Sequence, residues 1–163
     1  GQLASFVVRA EEAKGTVVAV LPQIGQFNGI SDSKIEFTLD SNKTFSQVIT
    51  LLDNTSNIQL ESELKAFINN YSSEIGATFD GIDSITVKRG SEEIAKYIKN
   101  DNSNSISTLI EAVIDHVKDR VDYWNLESKK VSEYAATLAL GLTVEIKFSN
   151  NSIPSKTFNI HLQ

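Results

Sequence analysis

Few side chains in this 163-residue chain can do covalent chemistry, and the missing types narrow it most. There is no cysteine, which removes disulfide frameworks, thiolate zinc sites, iron–sulfur clusters and cysteine nucleophiles. The two histidines, His116 and His161, lie far apart. His116 follows Asp115, but adjacent residues of a helix do not share a face, and no second histidine is spaced to complete a metal site. Its context predicts an exposed or boundary helical histidine. His161 alternates onto the face opposite Phe158, Ile160 and Leu162, as a solvent-facing strand residue does. Whether a distant Ser or Asp meets either histidine is a question for the fold.

The carboxylates and glycines are no more specific. Asp115, Asp119 and Asp122 have helical spacing that suits a hard cation or a wet helix face, and the wet face is the expectation. Asp101-Asn102-Ser103-Asn104 offers oxygen donors without the glycine and terminal glutamate of an EF-hand loop. Gly25 and Gly29 are followed by no P-loop lysine, and neither GxGxxG nor GxSxG occurs. No catalytic, cofactor-binding or metal-ligating residue is assigned, and no cofactor is expected.

Binding chemistry is the remaining class. Gln23 to Ser33 reads as a polar, glycine-punctuated loop, with Ile24, Phe27 and Ile30 either returned to the core or offered as a small adhesive knob. A second candidate contact is the Asn150-to-Ser155 connection, with Asn150 and Asn151. A protein partner is the expected ligand. Nucleic acid is not, because 15 basic against 21 acidic residues leave a formal charge of -6 and a pI near 4.9. The densest basic points, Lys88-Arg89 and Lys129-Lys130, read as exposed solubilising charge. No apolar run approaches the roughly twenty residues of a membrane span. Asn-x-Ser/Thr triplets at Asn42, Asn54, Asn70 and Asn150 matter only in a glycosylating host.

The elements that must position these residues change period along the chain. Residues 1–14, with Phe6, Val7 and Val8, read as a strand or a partly ordered arm, and Thr16 to Leu21 as an apolar strand stopped by Pro22. Ile35, Phe37 and Leu39 alternate as a half-buried strand. Thr44 is placed to cap a helix carrying Phe45, Val48, Ile49 and Leu52, followed by a second from Ile58 to Tyr71, the two forming a helical hairpin over a sheet. Asp80-Gly81 marks a turn, and Ile85 and Val87 a middle strand ending at Gly90. Ser91-Glu92-Glu93 carries a helix-start signature, with Ile94, Tyr97 and Ile98 as the apolar side. The clearest helix runs from Ile106 to Trp124, and helix is expected again from about Leu126 to Ala136. Leu142 to Phe148 and Phe158 to Leu162 alternate as an antiparallel pair.

The whole predicts one α+β domain, residues 1–163, with an antiparallel or mixed sheet packed against amphipathic helices. A faint two-fold rhythm pairs a strand with two helices in each half. The chain holds no methionine, even at position 1, which predicts that a leading segment has been removed.

The cysteine-free, Asn-, Ser-, Lys- and Ile-rich segments carry a resemblance. Ile58 to Ile68, with its Leu60-Glu61-Ser62-Glu63-Leu64-Lys65-Ala66 body leading toward Thr78-Phe79-Asp80, is an example. Over about half of its length the chain resembles the ectodomains of mollicute surface proteins, the spiralin-type lipoproteins and related membrane-anchored antigens. That resemblance implies a non-enzymatic cell-surface or secreted protein with a structural or adhesive role, anchored outside this segment. It transfers no functional residue. The rival expectations are a small cytoplasmic enzyme using dispersed acids with a histidine, and an intracellular assembly protein using the Ile106–Trp124 helix as a partner surface.

Overall fold

The computed structural model describes residues 24–39 and 42–163. The strand expected from Thr16 to Leu21 and the arm expected over residues 1–14 lie outside the described residues. Six strands form one mixed sheet: β1 (Gly25–Ser31), β2 (Lys34–Leu39), β3 (Ile82–Arg89), β4 (Glu92–Ile98), β5 (Leu142–Phe148) and β6 (Lys156–Leu162). Their spatial order is β1-β2-β6-β5-β3-β4, with β2 parallel to β6 and every other pairing antiparallel. The helices are α1 (Phe45–Asp53), α2 (Asn57–Asn70), α3 (Ser72–Ile75), α4 (Ile106–Tyr123) and α5 (Val131–Ala139). This is the expected α+β architecture.

The cross-strand register puts one apolar face toward the helices. Tyr97, Ile85 and Ile146 are laterally adjacent across β4, β3 and β5, with Ala95, Val87, Val144 and Phe158 in the next row. The row Ile30, Ile35 and Ile160 continues it across β1, β2 and β6. Against these strands α2, α3 and α4 close a core that includes Phe67, Ile75, Ile82 and Leu109. A second apolar cluster joins Ile24, Phe45, Val48, Leu60, Val121 and Val131 where α1, α4 and α5 meet.

Three local expectations are overturned, each by pairing that outweighs a local signal. The segment read as a loop from Gln23 to Ser33 holds β1, which pairs with β2 through a bulge after Phe27. A Cβ at Gly25 would run into the Thr38 carbonyl oxygen and the Phe37 ring, so glycine there permits close strand approach. Asp32 and Ser33 both take positive φ (48° and 61°), as a two-residue type I′ hairpin turn demands.

The helix expected after Ser91 is instead β4. Gly90 at φ 62° turns the chain, Arg89 faces Glu92, and Ala95 and Tyr97 alternate into the core opposite Val87 and Ile85. Acids at a helix start stabilise by only about 0.3–1 kcal/mol, less than burying a tyrosine and a strand of backbone hydrogen bonds.

The helix expected from Leu126 begins only at Val131. The intervening carbonyls of Glu127 and Lys129 accept from Ser46 N and Phe45 N, so that turn satisfies the first amides of α1. α1 itself has the capping box its sequence implies, Thr44 and Gln47 bonding each other's backbone amides. Rather than forming a hairpin over the sheet by themselves, α1 and α2 each pack on α4. The two-fold rhythm survives as strand pair and helices, twice, before the closing β5–β6 pair, but β2 meets that pair in parallel and β3 in antiparallel.

Candidate functional site

The residues proposed as a contact surface separate. Ile24 and Phe27 are 5% and 1% exposed, so both are core residues. Phe27 meets the rings of Phe67 and Tyr71 edge-on at centroid distances of 4.3 and 4.8 Å. Ile30 is half-buried near the β1–β2 turn, where Asp32, Ser33, Lys156 and Thr157 line an open cleft. Asn150 and Asn151 are exposed in the β5–β6 connection. Since β2 and β6 run parallel, that connection and the β1–β2 turn share one end of the sheet. The Asn150 Oδ1 accepts from Ser152 N at 2.9 Å, which shapes the turn.

At the opposite end, His116 on α4 meets Arg89 of β3. Arg89 Nε donates to His116 Nε2 at 3.2 Å, and its other guanidinium nitrogens donate to the carbonyls of Leu138, at 2.5 Å, and Leu140. Arg89 thus caps the carboxyl end of α5, a structural task where exposed solubilising charge was expected. Burial, then the positive charges of Arg89 and Arg120, hold the His116 pKa below its ordinary 6.5, against smaller opposing effects of Glu92 and Asp119. With its acceptor nitrogen engaged by a cation, His116 is poorly placed to take a proton. His161 is exposed on β6, on the other side of the sheet from the core, and faces Glu36 across the ladder.

His116 has a consequence for pH dependence. A neutral imidazole favoured in the fold means that the unfolded chain binds more protons in acid. Its contribution is therefore complete above about pH 6.5 and declines as pH falls from there toward the lowered folded value. His116→Gln keeps an acceptor for Arg89 and removes the titration. Its unfolding free energy should fall less than the parent's between pH 6.5 and 5, as read by urea titrations of Trp124 emission. An unchanged pH slope would refute the assignment.

The acidic residues of α4 lie along its outer face. Asp115, Asp119 and Asp122 are exposed along α4, and Asp119 pairs with Arg120 at 3.0 Å. Among the described residues no three His, Asp or Glu side chains gather as a metal cluster would. Glu63, on α2, is 7% exposed and its Oε2 has no hydrogen-bond partner. Burial raises its pKa above the usual carboxylate range.

One apolar concavity was not anticipated. Between the sheet and the helices lies a half-enclosed chamber of about 320 Å³. Its sheet wall is Ile35, Ile160, Val144, Ile146, Ile85 and Val87. Its helical wall includes Leu52 of α1, Leu60 and Leu64 of α2, and Ile110 and Val113 of α4. Among the described residues every lining side chain is aliphatic except Phe67, and half of them, such as Ile35, Val144, Ile160 and Val113, are only half-buried. Polar ties hold the helical wall. Asn57 Nδ2 donates to Glu111 Oε1 at 2.8 Å and to Ser107 Oγ at 3.2 Å, and Lys118 Nζ pairs with Asp53 at 2.7 Å.

No family model, curated protein or solved structure matches this chain. Among the described residues, no helix is long and apolar enough to cross a membrane.

The chamber's residues were legible one by one as apolar stripes. Nothing in a stripe says whether two facing layers will close on each other or stand apart, because that depends on tertiary spacing.

Proposed function

We propose that this chain is a non-enzymatic binding protein and that the chamber between sheet and helices is its ligand site. The observation that carries the reading is the chamber's size together with its lining. Half of the described lining residues are only half-buried, so the concavity leaves apolar surface in contact with water. Water there gains no hydrogen bonds from the side chains of the wall, since the described lining residues are all apolar. An apolar ligand covers that surface, and the volume lies at the lower end of known small-molecule pockets, about 300–1,000 Å³. The cell-surface or secreted setting belongs to the same proposal: a carrier or receptor whose outer surface, net acidic at -6, keeps it dispersed.

The test uses N-phenyl-1-naphthylamine, an uncharged dye whose emission rises in apolar surroundings. The parent protein should bind it saturably. Val113→Phe and Val144→Phe each push a larger side chain into the chamber and should weaken dye binding at least tenfold, while Trp124 emission and cooperative unfolding persist. Equal dye binding by both filled variants, or none by the parent, would refute the reading.

A further inference from the structure

Arg89, at the end of β3, joins three elements through one rigid group. A guanidinium is planar, so its three contacts depend on a single placement: Nε to His116 of α4, and the two terminal nitrogens to the Leu138 and Leu140 carbonyls at the end of α5. Two further ties meet at the same corner. Gly90 N donates to the Gly141 carbonyl at 3.0 Å, and Leu140 N donates to the Thr137 carbonyl at 3.2 Å. The β3–β4 turn, the end of α5 and the start of β5 are thus gathered around one side chain. None of the described lining residues of the chamber is in α5 or in that turn, so the corner stands apart from the proposed ligand site.

His116 can hold this group in one protonation state only. The Nε–H of a guanidinium is always a donor, because the group keeps its protons in proteins. His116 Nε2 must therefore carry the lone pair, and Nδ1 the hydrogen. A proton added at Nε2 sets two N–H donors against each other at 3.2 Å and makes the imidazole a cation. The charged groups acting on it are Arg89 of β3, Arg120 and Asp119 of α4, and Glu92 of β4. Repulsion from the two arginines outweighs attraction to the two carboxylates. We propose that Arg89 and His116 form an acid-released latch: protonation of His116 frees the guanidinium, and the β3–β4 turn and the α5–β5 junction open locally while the sheet stays folded. The rigid fork cannot withdraw from His116 and remain in line with both carbonyls. Leu138 and Ala139, buried in the closed corner, become accessible as the end of α5 frays.

The experiment is native-state amide exchange on the whole isotope-labelled chain, read by NMR at pH 7.5 and pH 5 across urea concentrations too low to unfold it. Opening restores the ordinary proton affinity of the imidazole, so the opening equilibrium grows by up to about tenfold per pH unit below 6.5. Protection of the Gly90 and Leu140 amides should fall at least about fivefold between the two pH values. Their exchange at pH 5 should depend little on urea, because a local opening exposes little surface. The Ile85 and Ile146 amides of the central strands should exchange with the steep urea dependence of global unfolding. Imidazole nitrogen shifts should show the Nδ1–H tautomer of His116 at pH 7.5. His116→Gln retains an acceptor that takes no proton, and its Gly90 and Leu140 protection should be equal at both pH values. Urea dependence at Gly90 and Leu140 equal to that at Ile146, or the same acid loss in His116→Gln, would overturn the latch. So would an Nε2–H tautomer, which has no lone pair there to accept from Arg89.

Discussion

Phe27→Ala should cost about 4 kcal/mol of folding stability, within the range of about 3–5 kcal/mol for a buried phenylalanine. The ring is 1% exposed and wedged edge-on against Phe67 and Tyr71. Its removal forfeits both the transfer term and aromatic contacts that β1 has no other side chain to replace. For a chain of this length the melting temperature should drop by about 8–16 °C. Phe27→Leu keeps much of the apolar volume and should recover roughly half of the loss. Ile30→Ala, at a half-buried position three residues on, should cost about 1 kcal/mol. Urea unfolding followed at Trp124 reads all three. A Phe27→Ala loss below about 1 kcal/mol would mean that this ring sits at a loop tip, as a knob on the surface does.

Arg89→Met should cost about 3 kcal/mol, although Arg89 has the look of a surface charge. Methionine preserves the aliphatic stem, so the loss isolates the guanidinium. Each charge-assisted hydrogen bond is worth about 1.5–3 kcal/mol, and this group makes two to the Leu138 and Leu140 carbonyls as well as one to His116. Those carbonyls close α5, where a cation also opposes the helix dipole. Arg89→Lys should restore less than half of the stability, because a point charge cannot serve three acceptors set in a fork. The Met variant should also raise the His116 pKa toward its ordinary value, since a neighbouring positive charge is gone. A histidine titration by NMR measures this directly. A stable Arg89→Met protein with an unmoved His116 pKa would show that the fork is not formed in solution.

The elements differ in how far they could be read from local sequence. α1, α2 and α4 were legible because their apolar residues repeat at helical spacing, and for α1 because Thr44 stands where a cap belongs; the caps Ser56 and Ser105 emerged only in the structure. β2, β5 and β6 were legible because alternation against one core face produces a period of two. β1 and β4 were not. β1 has only Phe27 fully inside and a bulge that breaks its alternation, while the Glu92-Glu93 start of β4 imitates a helix. Among the described residues both are edge strands, each paired with a single neighbour. Their identity was decided by β2 and β3, which supplied the missing hydrogen-bond partners.

The same division separates what local sequence determined about this protein from what tertiary structure decided. Composition alone removed thiol and thiolate chemistry, since the atoms are absent, and set the net negative charge. Periodicity determined which face of each long helix and central strand is apolar, because that depends only on residue spacing. Tertiary structure decided that Phe27 is core, that Arg89 caps a helix 49 residues further along, and that His116 answers to two arginines. It also decided that the apolar faces of the sheet and helices leave a half-open chamber between them. The physical reason is range: propensity and periodicity act over a few residues, while a cap, a pKa and a cavity depend on distances between groups that only the closed chain brings together.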